Sequence, residues 1–205
     1  MKGKFITVEG VEGVGKSTNV AFIYEFLRQR EMPVIATREP GGTPFAEELR
    51  NILLRSRDEP VDDCAELLLM FAARSQHLNT VILPALQRGE WVLCDRFTDA
   101  TFAYQGAGRG MSLDVIANLE AIVQQGLQPD LTIVLDLDVD IGLQRVRKRG
   151  QLDRFESQQL AFFKRVRKSY LDRMANAPER CFLVDASQPL ELVQRDIIKL
   201  LERLL

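Results

Sequence analysis

Apolar runs alternate with helical patterns along the whole chain. Near-continuous apolar stretches at 4–9, 34–37, 91–95, 131–136 and 181–185 read as strands covered on both faces, since a strand wetted on one side would alternate with polar residues. Between them, apolar positions spaced three and four apart predict helices over 17–30, 44–55, 62–88, 112–125, 139–149, 157–176 and 189–205. Pro189 falls in the first turn of the last one, where its missing N–H costs little. Strands separated by helices require right-handed crossovers. The expectation is therefore an α/β fold in three layers, a parallel sheet of five strands with helices on both faces. With no internal repeat, low-complexity tract or linker, residues 1–205 read as one domain. Ligands of such sheets bind beyond the carboxyl ends of the strands.

The first strand runs into Gly10-Val11-Glu12-Gly13-Val14-Gly15-Lys16-Ser17, which fits G-x-x-x-x-G-K-[ST] at every fixed position. Glycines let successive backbone N–H groups point inward at a phosphate. Lys16 can then reach the terminal phosphates and the Ser17 hydroxyl can hold Mg²⁺. The helix that follows presents its positive end to the same anion. This pattern predicts a nucleoside triphosphate site.

The other strand ends extend the picture. Arg38, in Thr37-Arg38-Glu39-Pro40-Gly41-Gly42-Thr43, projects from a tight turn and suits bidentate capture of a phosphate. Asp95, ending the third apolar run, stands where a Mg²⁺ shell needs a carboxylate, and Arg96 beside it can bridge two phosphates. Phe71 and Arg74 share a helix face, able to stack a flat ring and donate to its edge. Within 101–110, Gln105 offers an amide that can both donate and accept, and the glycines there read as a turn. Arg145, Arg147, Arg149 and Arg154 concentrate positive charge where a helix gives way to a loop, the composition of a lid over a nucleotide, about 145–156.

Composition narrows the classes. A formal net charge of −2 argues against broad nucleic-acid binding, and no apolar run reaches membrane-spanning length. Cys64, Cys94 and Cys181 are few and far apart, which suggests buried small side chains in a reducing, cytoplasmic compartment. The single histidine, His77, is expected to be structural or exposed.

Taken together, these segments resemble the thymidylate kinase family. The matching pieces are the loop 10–17, Thr37–Thr43, Phe71 with Arg74, Asp95-Arg96-Phe97, Ala103–Gly110 and the run ending Leu152-Asp153-Arg154. The resemblance implies a five-stranded P-loop kinase fold and a homodimer. It implies transfer of the terminal phosphate of ATP to dTMP, giving dTDP and ADP for dTTP synthesis, with Mg²⁺ as cofactor. ATP would lie against residues 10–17 and Thr18, and Ser17 and Asp95 would hold the metal. Phe71 would stack on thymine, Arg74 would bond its O4, and Thr101 and Gln105 would lie near the ring edge. Arg38 and Arg96 would hold the acceptor phosphate, Glu12 would approach the sugar 3′-hydroxyl, and Tyr104 would pack beneath the deoxyribose. Val11, Gly13 and Val14 leave the phosphate loop without an arginine, so the chain resembles members whose lid supplies the catalytic one. Arg149 is the first choice, ahead of Arg145, Arg147 and Arg154. Ala100 and Ala107 stand where the family often has serine and glycine.

Two other readings stay open on the residues alone. A deoxynucleoside kinase would need a carboxylate base near the second strand's end, which Glu39 could be. A GTPase switch would need base-reading and switch motifs that the chain lacks.

Overall fold

In the computed structural model, which describes residues 3–148 and 153–205, five strands form one parallel sheet. They are β1 (Phe5–Glu9), β2 (Val34–Arg38), β3 (Trp91–Asp95), β4 (Leu131–Asp136) and β5 (Cys181–Asp185), in the order β2-β3-β1-β4-β5. The apolar runs mark these strands because both faces are buried. Ile6, Val8 and Leu93 belong to the larger core, whereas Phe5, Val92 and Cys94 belong to a second one, as the two-residue period requires. Helices α1 (Lys16–Gln29) and α9 (Leu190–Leu201) send Ile23, Leu27, Val193 and Ile197 into the first core.

The chain reverses its lateral direction at β1, which pairs with β3 on one side and β4 on the other. The carboxyl end of β1 is thus the switch point, where an open α/β sheet leaves a crevice for ligands.

The remaining helices are α2 (Pro44–Leu54), α3 (Asp63–His77), α4 (Leu83–Gln87), α5 (Thr98–Thr101), α6 (Leu113–Gln124), α7 (Val139–Arg147) and α8 (Leu160–Asn176). Three differences from the sequence pattern have physical reasons. The helix expected over 62–88 widens into a π-helical turn at Leu78–Ile82 before α4. Pro84 explains it, having no N–H to give the carbonyl one turn back. The turn expected after Gln105 is helical instead, because α5 runs on into a π-helical segment, Phe102–Gly108. Gly106 and Gly108 are there for packing: a Cβ at Gly108 would lie 2.6 Å from the Phe162 ring on α8, and one at Gly106 2.7 Å from Leu113. Pro189 sits just ahead of α9 in extended conformation rather than in its first turn, and its carbonyl accepts from Leu192 and Val193.

Cys94 and Cys181 are buried, but Cys64 is exposed. It stands at the outer start of α3, where the Asp62 side chain caps the helix by accepting from the Cys64 and Ala65 amides. Among the described residues, no helix is long and apolar enough to cross a membrane.

Candidate active site

The phosphate loop leaves β1 and re-enters helix at Lys16, with Gly15 in left-handed conformation at the cap. Gly13 has φ +76, and a Cβ there would lie 2.1 Å from the Gly142 carbonyl oxygen. Only glycine lets α7 press its backbone onto the loop. Lys16 Nζ donates to the carbonyls of Gly10 and Val11, at 2.9 and 2.8 Å. Desolvation, together with the Arg96 charge, brings the Lys16 ammonium down to about 8, so an incoming anion meets a cation ready to be paired. Ser17 and Thr18 are exposed on the first turn of α1, where helical N–H groups lack intrahelical partners. Arg145 NH1 reaches the Gly13 carbonyl at 3.3 Å.

At the end of β3, Asp95 Oδ1 is buried without a hydrogen-bond partner. Arg96 follows at φ +70, a conformation that costs a side-chain-bearing residue about 1 kcal/mol. Its guanidinium shows why the strain is kept. NH2 donates to Glu12 Oε1 at 2.7 Å, and NH1 to the Gly10 carbonyl at 3.2 Å and to Tyr170 Oη at 3.3 Å. Tyr104 Oη donates to the same Glu12 carboxylate at 2.6 Å. Glu12 from the phosphate loop, Arg96 from the end of β3 and Tyr104 from the π-helical segment thus arrive as one cluster. Arg38, at the end of β2, is more than half exposed and pairs with Glu47 at 2.9 Å.

Opposite these groups lies a buried polar network. Glu39 accepts from Arg74 Nε at 2.7 Å and pairs with His77 Nδ1 at 3.0 Å. Burial pushes the Glu39 carboxyl up, but Arg74 and His77 outweigh it and hold it below the usual carboxylate range. Arg74 NH2 donates to Thr101 Oγ1 at 2.9 Å, whereas Arg74 NH1 is buried with no partner. Both oxygens of Glu39 are occupied, so it is not a free base of the sort a deoxynucleoside kinase reading asks for. His77 is fully buried and its Nε2 is bonded to Thr37 Oγ1 at 2.6 Å, which makes it structural rather than exposed. Gln105 Nε2 donates to Glu66 Oε1 at 2.7 Å.

These parts surround one cleft of about 390 Å³. Its wall includes Glu12, Gly13 and Gly15 through Thr18 from the phosphate loop and α1, with Arg38, Asp95, Arg96 and Arg145 around them. Arg74, Thr101, Tyr104 and Gln105 line the other end. Other sequence candidates lie elsewhere. Val11 and Val14 are buried in the main core behind the loop, whose Gly10 carbonyl takes the Lys16 and Arg96 bonds. Phe71 is packed with Leu67, Phe102 and Ile116, its ring 4.9 Å from the Arg74 guanidinium, and stands one layer behind the cleft wall. Arg147 is on the exposed side of α7. Arg154 turns away from the phosphate loop, donating to the Leu53 carbonyl at 2.8 Å and to Glu66 Oε2 at 2.5 Å. Arg149 lies outside the described residues.

Sequence reasoning missed Glu66, Tyr170 and Phe155, whose ring lines the cleft edge-on to Tyr104 at 6.2 Å, and it saw Glu39 only as a base. One signal was available: Glu66, Arg74 and His77 recur at helical spacing on one face of α3, among apolar positions.

Comparison with known proteins supplies the family to which this cleft belongs. The family model for thymidylate kinase matches residues 8–197. A thymidylate kinase of Teredinibacter turnerae is 63% identical over 205 residues, covering 100% of both chains. One of Chromohalobacter salexigens is 60% identical over 197 residues, 95% of this chain and 93% of that one. The crystal structure of thymidylate kinase from Ehrlichia chaffeensis superposes with a TM-score of 0.82 at 32% identity, covering 98% of this chain and 100% of that one. With a phosphate loop, an Asp-Arg pair and a buried arginine converging on one cleft, and relatives matched along the full length, the chain belongs to the thymidylate kinase family.

Proposed function

We propose a division of labour within this single domain for the family's reaction. The enzyme transfers the terminal phosphate of ATP to dTMP, giving dTDP and ADP. ATP lies along residues 10–18, its phosphates against the loop N–H groups and Lys16. The thymine edge meets Arg74, Thr101 and Gln105, with Phe71 backing that wall from behind Arg74. Glu12 takes the sugar 3′-hydroxyl, and Tyr104 lies beneath the ring, where a 2′-hydroxyl would crowd it. Arg38 and Arg96 take the acceptor phosphate. The observation that carries this reading is that two buried, unpartnered polar atoms, Arg74 NH1 and Asp95 Oδ1, belong to residues lining the same cleft. An unpaired buried donor or acceptor is costly unless a ligand completes it.

The acceptor is a phosphate monoester with a second pKa near 6 and is mostly dianionic at neutral pH. It needs no general base. The barrier is repulsion between two anions brought into line, and Lys16, Arg38, Arg96 and a lid arginine lower it. Arg149 is the foremost candidate for the lid arginine, with Arg145 already at the loop. The chemistry of the donor set suits Mg²⁺, which is typically held by one or two carboxylates and substrate phosphates. Asp95 offers its unpartnered oxygen and Ser17 its exposed hydroxyl. When bound, the ion neutralises charge building on the phosphate oxygens.

The protein works as a cytoplasmic homodimer. Exposed Phe45 and Ile52 on α2, Leu68 on α3, and Leu113, Val115 and Ile122 on α6 supply the apolar face. No nucleic acid or membrane takes part. Asp95→Asn tests the site. The Mg²⁺ concentration for half-maximal turnover should rise at least tenfold while dTMP affinity measured without metal stays unchanged. An unaltered Mg²⁺ requirement overturns the assignment of Asp95. Leu68→Glu should convert dimer to monomer in sedimentation.

A further inference from the structure

We propose that Glu66 is a positioning residue: it fixes which atom of the Gln105 amide faces the base, and so makes the site favour a thymine-type edge over a cytosine-type edge. This rests on the reading above that the base lies against Arg74 and Gln105.

Glu66 is completely buried in the first turn of α3. Its Oε1 accepts from Gln105 Nε2 at 2.7 Å and from Arg109 Nε at 3.4 Å, and its Oε2 from Arg109 NH2 at 3.2 Å and Arg154 NH2 at 2.5 Å. A guanidinium can only donate, so two of them make Glu66 an acceptor on both oxygens. Gln105 must therefore turn its NH₂ group toward Glu66, and the amide orientation follows from chemistry. The side-chain oxygen of Gln105, Oε1, has no partner among the described residues, and Gln105 lines the cleft. It is the amide atom left for a ligand.

Arg74 is fixed in the same manner. Nε is held by Glu39 and NH2 by Thr101, leaving NH1 as a buried donor without a partner. The cleft thus offers a base edge one acceptor and one donor. Thymine carries a donor at N3 and an acceptor at O4, which match. Cytosine carries an acceptor at N3 and a donor amino group at C4, so both pairs would be like against like. A glutamine free to rotate by 180° could serve either base. With Glu66 holding its NH₂, it serves only one.

The experiment compares kcat/KM for dTMP, dUMP and dCMP in the wild-type enzyme, Glu66→Gln, Gln105→Ala and the double variant. In Glu66→Gln the dTMP-to-dCMP ratio should fall about tenfold or more, the scale of discrimination carried by one paired base contact. The dTMP-to-dUMP ratio should hold, because uracil presents the same edge. Adding Glu66→Gln to Gln105→Ala should lower the ratio no further, as expected if one residue acts through the other. The proposal is overturned if Gln105→Ala lowers the dTMP-to-dCMP ratio and Glu66→Gln does not. An equal fall in both ratios overturns it too, since that is general loosening. An unchanged ratio in Gln105→Ala shows instead that the base site itself is misplaced. Should Glu66→Gln fail to fold, nitrogen-edited NMR of the wild-type enzyme decides. A through-hydrogen-bond coupling between Gln105 Nε2 and the Glu66 carboxyl carbon without nucleotide supports the proposal, and its absence overturns it.

Discussion

The two ends of the cleft are built on opposite terms. At the base end, Glu39, Glu66, Arg74, Thr101 and Gln105 are all buried and all held by protein partners before any ligand arrives. At the transfer end, Ser17, Thr18 and Arg145 are exposed, and Arg38 has only a surface pair with Glu47. A buried charge needs a fixed partner, so the end proposed to select the substrate comes preformed. An exposed cation stays hydrated and can be reoriented by the phosphates it meets. In the proposed reading, selection falls to rigid groups, whereas transfer combines the held Lys16 and Arg96 with exposed groups that the nucleotides themselves complete.

The sharpest way to break this contrast is at the transfer end. Arg149→Ala should lower kcat by about 10³-fold or more, the scale of an arginine supplied to a phosphoryl transition state. The KM for dTMP should barely move. Steady-state kinetics at saturating ATP checks this, and undiminished turnover would redirect the role to Arg145 or Arg147. At the base end, Arg74→Met should act on the fold as well as on dTMP affinity. It strands the buried Glu39 carboxylate, and breaking a buried pair from one side costs about 3–5 kcal/mol. Denaturant unfolding would reveal this loss, and a variant as stable as the wild type would show that the base end is not preformed by that pair.

A smaller effect concerns Glu9 beneath the site. It accepts from the Phe97 amide and from Tyr170, and burial, then Asp99, push its carboxyl up to about 8. A carboxyl raised in the folded state favours folding fully below its unfolded value and loses that contribution as pH rises through the folded one. Glu9 should therefore lower stability across pH 4.5 to 8, by at most about 1.4 kcal/mol per pH unit. Glu9→Gln should flatten that slope in unfolding curves taken at several pH values. If the slope persists in the variant, Glu9 is not its source. Smallest in stability is Arg38→Ala, expected within about 1 kcal/mol of wild type because its pair is exposed. It should nevertheless raise the KM for dTMP while sparing ATP binding.

How far the chain could be read in advance follows the same division. All five strands lay within a residue of their final bounds, because continuous burial in a parallel sheet leaves an unambiguous apolar run. The phosphate-loop candidates and the Asp-Arg pair were legible because their spacing is set by phosphate chemistry. The helix across 98–108 was not, since Gly106 and Gly108 look like turn residues and only the positions of Leu113 and Phe162 reveal what they accommodate. The roles of Glu39 and Glu66 were hidden for a related reason. An acid in a helix or loop reads as surface until the arginines that hold it, distant in sequence, are brought alongside.

The backbone at Arg96 carries a lesson for engineering. Glycine would relieve its left-handed conformation by about 1 kcal/mol, but losing the guanidinium would strand the buried Glu12 carboxylate at about 3–5 kcal/mol. Directed evolution sorted on endurance alone should therefore retain arginine at this codon, because the charge it pairs outweighs the backbone strain it imposes.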